Sequence, residues 1–151
     1  MALTYSEKGE PGWTAPEFNL KGVSGVHHRL RDFRNAQVLV VVFMCNHCPY
    51  VKAVRERINQ LAKEGSEQGV QVVGINSNDS VKYPDDSYDA MKLEAQAHGF
   101  VFPYLWDESQ SVARAYGAGC TPDFYVFKNE TAHKDPVEFR LPYRGRLDDN
   151  W

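Results

Sequence analysis

The sequence predicts an α/β domain in which a central mixed β-sheet is flanked by helices. Three observations lead there. Val38 to Met44 is an apolar run of strand length with no polar alternation, four of its seven residues being valine; that pattern suits a strand covered on both faces. The run passes directly into Cys45-Asn46-His47-Cys48 and then into a segment of helical spacing. Beyond it, strand-like and helical stretches alternate almost to the end of the chain.

Residues 1 to 16 are rich in Gly, Pro, Thr and Ser and read as an irregular lead-in. Ala15 to Leu20 suits a short strand, Gly22 to Gly25 a turn, and Val26 to Leu30 the return of a hairpin; Arg31 to Ala36 reads as a short helical connection. His27 and His28 fall in the hairpin, where neighbours face opposite ways, so they read as surface histidines and not as a metal pair. The first long helix is expected over Cys48 to Glu64. Val51, Val54, Ile58 and Leu61 form its apolar stripe, and Lys52, Arg55, Glu56, Arg57 and Lys63 its wet face. Pro49 is tolerated in the first turn, and Gly65 suits the C-terminal cap.

Gly69 to Ile75 reads as a second buried strand, left by the polar loop Asn76 to Ser80. Asp86 or Ser87 is the expected cap of a helix over Ser87 to His98 that closes at Gly99. Val101 to Trp106 reads as extended. Asp107 or Ser109 opens a third helix carrying Val112, Ala113 and Tyr116 and ending at Gly117. Gly119-Cys120-Thr121-Pro122 precedes a strand over Phe124 to Phe127, and Val137 to Arg144 is the last strand. No repeat, linker or low-complexity tract is evident, so residues 1–151 are expected to form a single domain.

The composition narrows the function classes. Seventeen basic and twenty acidic residues leave a net charge of −3 with no basic block, which gives no argument for nucleic acid or an anionic membrane. The longest apolar run is too short to span a bilayer. The first residues lack a basic region followed by an apolar one, so no signal peptide is expected. Three cysteines are too few for a disulfide framework. The expectation is a cytoplasmic enzyme, a setting in which disulfides are mostly transient and catalytic. C-x-x-C between a strand and a helix reads as a dithiol redox site. At the first turn of the helix, unpaired N–H groups and the helix dipole favour the reactive thiolate.

The order strand, C-x-x-C, helix, then β–α–extended–α, then Thr-Pro and two closing strands resembles the thioredoxin fold. G-W-T-A-P-E-F-N-L (Gly12 to Leu20) resembles the opening of its redoxin branch, which includes the alkyl hydroperoxide reductase and thiol-specific antioxidant proteins. F-M-C-N-H-C-P-Y-V-K (Phe43 to Lys52), G-I-N-S-N-D (Gly74 to Asp79), F-P-Y-L-W-D (Phe102 to Asp107), V-A-R-A-Y-G-A (Val112 to Ala118), C-T-P-D-F-Y-V-F (Cys120 to Phe127) and Y-R-G-R-L-D-D-N-W (Tyr143 to Trp151) are similar to a C-x-x-C subgroup of that branch. The resemblance implies a thioredoxin fold with an N-terminal redoxin-type extension. It implies a cis Thr121–Pro122 peptide against the dithiol, with Thr121 pairing its backbone with substrate. Members of the subgroup continue past Asp-Asn-Trp into a further helix, which this sequence lacks. Asn129 to Pro142 is longer than the tight hairpin expected.

The function implied is thiol–disulfide oxidoreduction. Cys45 is expected to be the exposed nucleophile and Cys48 the more buried resolving thiol, with no cofactor beyond the dithiol. Substrates are protein or small-molecule disulfides, and a thioredoxin- or glutathione-type reductant restores the dithiol. His47, placed as in the C-G-H-C of protein disulfide isomerase, is expected to favour the Cys45 thiolate and raise the potential above the thioredoxin value of about −270 mV. Thr121 and Pro122 form the expected substrate-binding turn. Cys120, two residues before Pro122, reads either as a further site residue or as an inert buried thiol. A thiol peroxidase is the first alternative, weakened because Val42 stands where such enzymes place Thr or Ser. A Cu- or Zn-binding module using Cys45, Cys48, His47 and Cys120 is the second, weak for want of a second C-x-x-C pair. The Asn76 to Ser80 loop and Asp148-Asp149 read either as residues near the active face, since loops after parallel strands often carry sites, or as turn formers, and stay outside the expected catalytic residues.

Overall fold

The computed structural model describes residues 12–131 and 138–145. Seven strands form one mixed sheet in the order β2-β1-β5-β4-β3-β6-β7. They are β1 (Asn19–Gly22), β2 (His27–Arg29), β3 (Val38–Phe43), β4 (Val70–Asn76), β5 (Tyr104–Trp106), β6 (Asp123–Asn129) and β7 (Phe139–Gly145). β3 runs parallel to β4, and β4 to β5. The remaining pairings are antiparallel. Three helices join them: α1 (Pro49–Ser66), α2 (Tyr88–Ala97) and α3 (Ser111–Tyr116).

β3 behaves as its valine-rich sequence demands. Successive side chains on a strand face opposite ways. Leu39, Val41 and Phe43 join the core that holds Val112 and Tyr116 of α3 with Phe18, Leu30 and Phe33. Val40, Val42 and Met44 join the core under Val51, Val54, Ile58 and Ala62 of α1 and Met91 of α2. Both faces are dry, so alternation is lost from the sequence. The N-terminal segment lies along β7, where Gly12 N–H donates to Leu141 O at 2.9 Å and Ala15 N–H to Phe139 O at 2.8 Å. Trp13 then sets its ring edge-on to Tyr116.

Several boundaries move for local reasons. α1 runs through Gly65, because Gly65 is buried against Val70 and serves close packing, not capping. The left-handed residue that turns the chain into β4 is Gly69, with φ +78°. Ser87 caps α2, its Oγ accepting from Ala90 N–H at 3.1 Å. Asp107 helps open α3 by accepting from Ala113 N–H at 2.9 Å. The short helical connection is a 3-10 turn, Leu30–Phe33. His27 and His28 face apart: His27 meets Asn19 on the surface and His28 stacks on Phe33. Residues 132–137 of the long β6–β7 connection, and Asp148-Asp149, lie outside the described residues.

Gly74, on β4 beneath the dithiol turn, leaves no space for a side chain. A Cβ there would sit 2.9 Å from Met44 Sδ, 3.0 Å from a Phe102 ring carbon and 3.2 Å from one of Tyr104. Gly74→Ala is therefore expected to overpack this core and cost about 1–3 kcal/mol. A urea midpoint equal to wild type would show that the three side chains yield freely.

Candidate active site

The site forms where β3 ends and α1 begins. Cys48 is the N-cap of α1 and Pro49 its first residue, so the helix starts one residue after the C-x-x-C. Cys48 alone of the two thiols sits at the helix terminus, and Cys45 lies three residues earlier at the end of the sheet. The helix end still reaches Cys45, because the Cys48 backbone N–H donates to Cys45 Sγ at 3.2 Å.

Thr121 faces both sulfurs. Its hydroxyl is 3.5 Å from Cys45 Sγ, and its carbonyl accepts from Cys48 Sγ at 3.6 Å. The Thr121–Pro122 peptide is cis, as the family resemblance implied. The expected exposure of the two thiols is reversed. Cys45 is buried, 2% exposed, and Cys48 is half-buried. The cause is that Cys45 continues β3 into the core beside Met44, while Cys48 caps a helix at the surface. Burial pushes the Cys45 thiol up to about 11 from its usual 9.0. The neighbouring Cys48 and Asp86 push the same way, while the Thr121 hydroxyl and the Cys48 N–H oppose it.

His47 does not stand alone beside the thiols. Its Nδ1 meets Asp86 Oδ2, and its ring stacks on Tyr83 with centroids 4.8 Å apart. Of the two residues expected to cap α2, Asp86 and Ser87, Ser87 does so and Asp86 does not. Asp86 is instead fully buried beneath the dithiol turn. Asp86 Oδ1 accepts from the Asn46 backbone N–H at 2.6 Å and from Asn76 Nδ2 at 3.1 Å, and Oδ2 also accepts from Asn78 Nδ2 at 3.1 Å. Asn46 is tied further, through Tyr104 OH at 2.8 Å and the Asp85 carbonyl at 2.8 Å. Burial raises the Tyr104 phenol well above its usual range, so it remains a donor.

Sequence reasoning therefore missed Asp86, Asn46, Asn76 and Tyr104. A signal was available in part: Asn76 and Asn78 leave the carboxyl end of a parallel strand beside the one that bears Cys45, a place where sites gather. Cys120, half-buried, lines an open cavity of about 440 Å³ with Thr121, Phe43, Ser77, Asn78 and Arg114. Cys45 Sγ, one ring nitrogen of His47 and one carboxylate oxygen of Asp86 lie within 4.8 Å of one another. Both Asp86 oxygens already accept protein hydrogen bonds, and a cation would have to displace those donors. The set fits a hydrogen-bonded cluster better than a metal centre.

Sheet, cis turn and strand–dithiol–helix junction together define the thioredoxin class. The chain superposes on the thioredoxin domain of a thiol-disulfide oxidoreductase from Bacteroides vulgatus with a TM-score of 0.69, covering 90% of each chain at 13% identity. Residues 11–134 match the AhpC/TSA family, and the chain belongs to that family. It is 30% identical over 124 residues to the thiol-disulfide oxidoreductase ResA of Geobacillus thermodenitrificans, a match that takes in 82% of this chain and 67% of that one. Against the structure of an uncharacterized conserved protein from Geobacillus kaustophilus the identity is 43% and the TM-score 0.87, over 99% of this chain and 75% of that one. The chain spans about two thirds of the length of the curated relatives it matches. Among the described residues, no helix is long and apolar enough to cross a membrane.

Proposed function

We propose that this protein is a thiol–disulfide oxidoreductase that cycles Cys45 and Cys48 between dithiol and disulfide. The observation that carries the reading is Thr121 placed against both sulfurs, 3.5 Å from one through its hydroxyl and 3.6 Å from the other through its carbonyl. A cysteine pair so held can exchange with a disulfide presented along the Thr121 backbone. Cys45 is the nucleophile in this scheme despite its burial, because the hydrogen bonds made to it, unlike those of Cys48, suit an anion. It receives the Cys48 N–H and faces the Thr121 hydroxyl, whereas Cys48 Sγ points its proton at a carbonyl oxygen. Disulfides of proteins or small molecules are the substrates. A thioredoxin- or glutathione-type donor restores the dithiol. The thiol peroxidase reading is the weaker one, since Val42 is an apolar side chain fully buried in β3 with nothing to offer a peroxide.

The test is a redox titration against glutathione with mass mapping of cysteine pairs at each poise. A reversible two-electron Cys45–Cys48 disulfide is the expected result. A Cys45 sulfenic acid that pairs with Cys120 under peroxide, with no Cys45–Cys48 bond at any glutathione poise, would replace this reading with a peroxidase one.

A further inference from the structure

Asp86 is a carboxylate with no solvent exposure, placed next to a thiol-bearing turn from which it is separated by about forty residues of chain. Burying an ionised carboxylate is unfavourable unless its oxygens are satisfied, and here they are satisfied by the turn itself. The Asn46 N–H and the His47 imidazole both belong to the two residues between the cysteines. The amides of Asn76 and Asn78 supply the remaining donors from the end of β4.

This arrangement fixes a chemical property of His47. A carboxylate only accepts, so the imidazole nitrogen that meets it, Nδ1, carries the proton. Nε2 is then the nitrogen left to exchange a proton, on a side chain that is 33% exposed. Tyr83, stacked flat on the ring, holds its plane.

We propose that Asp86 is a positioning residue for this redox site, holding His47 as the Nδ1–H form so that Nε2 exchanges the proton of the thiol reaction. The inference rests on the oxidoreductase reading above. Nε2 takes the proton of the Cys45 thiol, and the resulting thiolate attacks one sulfur of a substrate disulfide; that S–S bond breaks, and the departing thiolate takes the same proton back from Nε2, which restores the Nδ1–H form. Cys48 then gives its proton to Nε2 and attacks Cys45 Sγ; the Cys45–Cys48 bond forms, the Cys45–substrate S–S bond breaks, and the second departing thiolate takes that proton from Nε2. The dithiol is oxidised, and two electrons and two protons end on the substrate.

Other groups face this pair and belong to the balance. Cys48 and Tyr104 lie on the dithiol side, and Tyr83 lies against the ring, with the Lys82 ammonium 5.6 Å from the centre of the Tyr83 ring. Around the groove that His47 lines are Lys52, Arg55, Asp85, Glu94 and His98, of which Arg55 and His98 are paired to Glu94. Apart from Cys48→Ala, shared by every sample in the alkylation comparison, none of the variants below changes these groups.

The experiment uses the full chain with Asp86→Asn, His47→Ala and both together. Nitrogen NMR of the imidazole is expected to show the Nδ1–H form in wild type and a mixture in Asp86→Asn. Alkylation of Cys45, in a background with Cys48→Ala and Cys120→Ala, is expected to titrate above the usual thiol range with Asp86 present, because burial remains, and to shift lower in Asp86→Asn, which removes a charge that opposes the thiolate. His47→Ala leaves that charge and gives no downward shift. Disulfide reduction is expected to fall at least about tenfold in either single variant, as for loss of a proton-transfer group, and no further in the double variant. An unchanged tautomer and titration in Asp86→Asn overturns the proposal, and so does a double variant that loses the product of the two single effects. Alkylation and NMR need no turnover, so a wild type inactive on every disulfide would sink the oxidoreductase reading while these two measurements still judge Asp86. If Asp86→Asn fails to fold, the proposal falls should His47→Ala retain wild-type turnover and its pH profile.

Discussion

Cys45→Ser is expected to abolish disulfide exchange, by at least about 10³-fold, while Cys48→Ala stops the cycle one step later with substrate held on Cys45. The argument is the polarity of the hydrogen bonds. The backbone N–H of Cys48 points at Cys45 Sγ and must be a donor. Cys48 Sγ faces the carbonyl of Thr121, which stabilises a thiol and opposes a thiolate. Burial works against Cys45, holding its thiol near 11. At pH 7 that leaves about one molecule in ten thousand as thiolate in the resting structure, against about one in a hundred for a thiol at 9.0. Exchange is therefore expected to accelerate as pH rises toward 11, since the reactive form grows throughout that range. Mass mapping of complexes formed with a disulfide substrate decides the matter. Mixed disulfides on Cys45 in Cys48→Ala are the expected result. If they accumulate instead on Cys48 in Cys45→Ser, the half-buried thiol attacks first and the roles are exchanged.

The second large effect is on stability. Phe43, the last residue of β3, is 2% exposed. Its ring lies 5.4 Å from that of Tyr116 and 5.7 Å, edge-on, from that of Tyr125. Tyr125 in turn bonds the Tyr116 carbonyl at 2.9 Å. Phe43→Ala would open a cavity beneath this aromatic set, directly before Met44 and Cys45, and is expected to cost about 3–5 kcal/mol in urea unfolding. A loss below about 1 kcal/mol would mean that the aromatic rings close over the gap. The same substitution widens the wall of the cavity that Cys120 and Thr121 line, so a change in substrate preference is expected to accompany the loss of stability.

The elements were legible because local pattern governs them. A valine run without alternation announced β3, and apolar residues at helical spacing announced α1. Glycines with positive φ closed α2 and α3 at Gly99 and Gly117. Thr121-Pro122 was legible as a site through the resemblance that the whole order of elements carried. Gly65 was misread because sequence shows a glycine near a helix end but not the Val70 side chain packed on it. Of the two possible caps, Asp86 and Ser87, the structure uses Ser87; what the sequence did not show is that Asp86 bonds the dithiol turn.

By itself, then, the sequence determined the α/β class, the order of its strands and helices, and a cysteine pair between a strand and a helix with Thr-Pro some seventy residues later. Those properties follow from periodicity, turn chemistry and spacing along the chain. Only the tertiary structure decided which sulfur is buried, that Asp86 lies beneath the turn, and that His47 is bonded to it. Burial and hydrogen bonding depend on groups brought together from about forty residues away, and no local pattern records such a meeting. The free energy of a charge is set by its final surroundings, and those exist only once β4, α1 and the loop before α2 have packed.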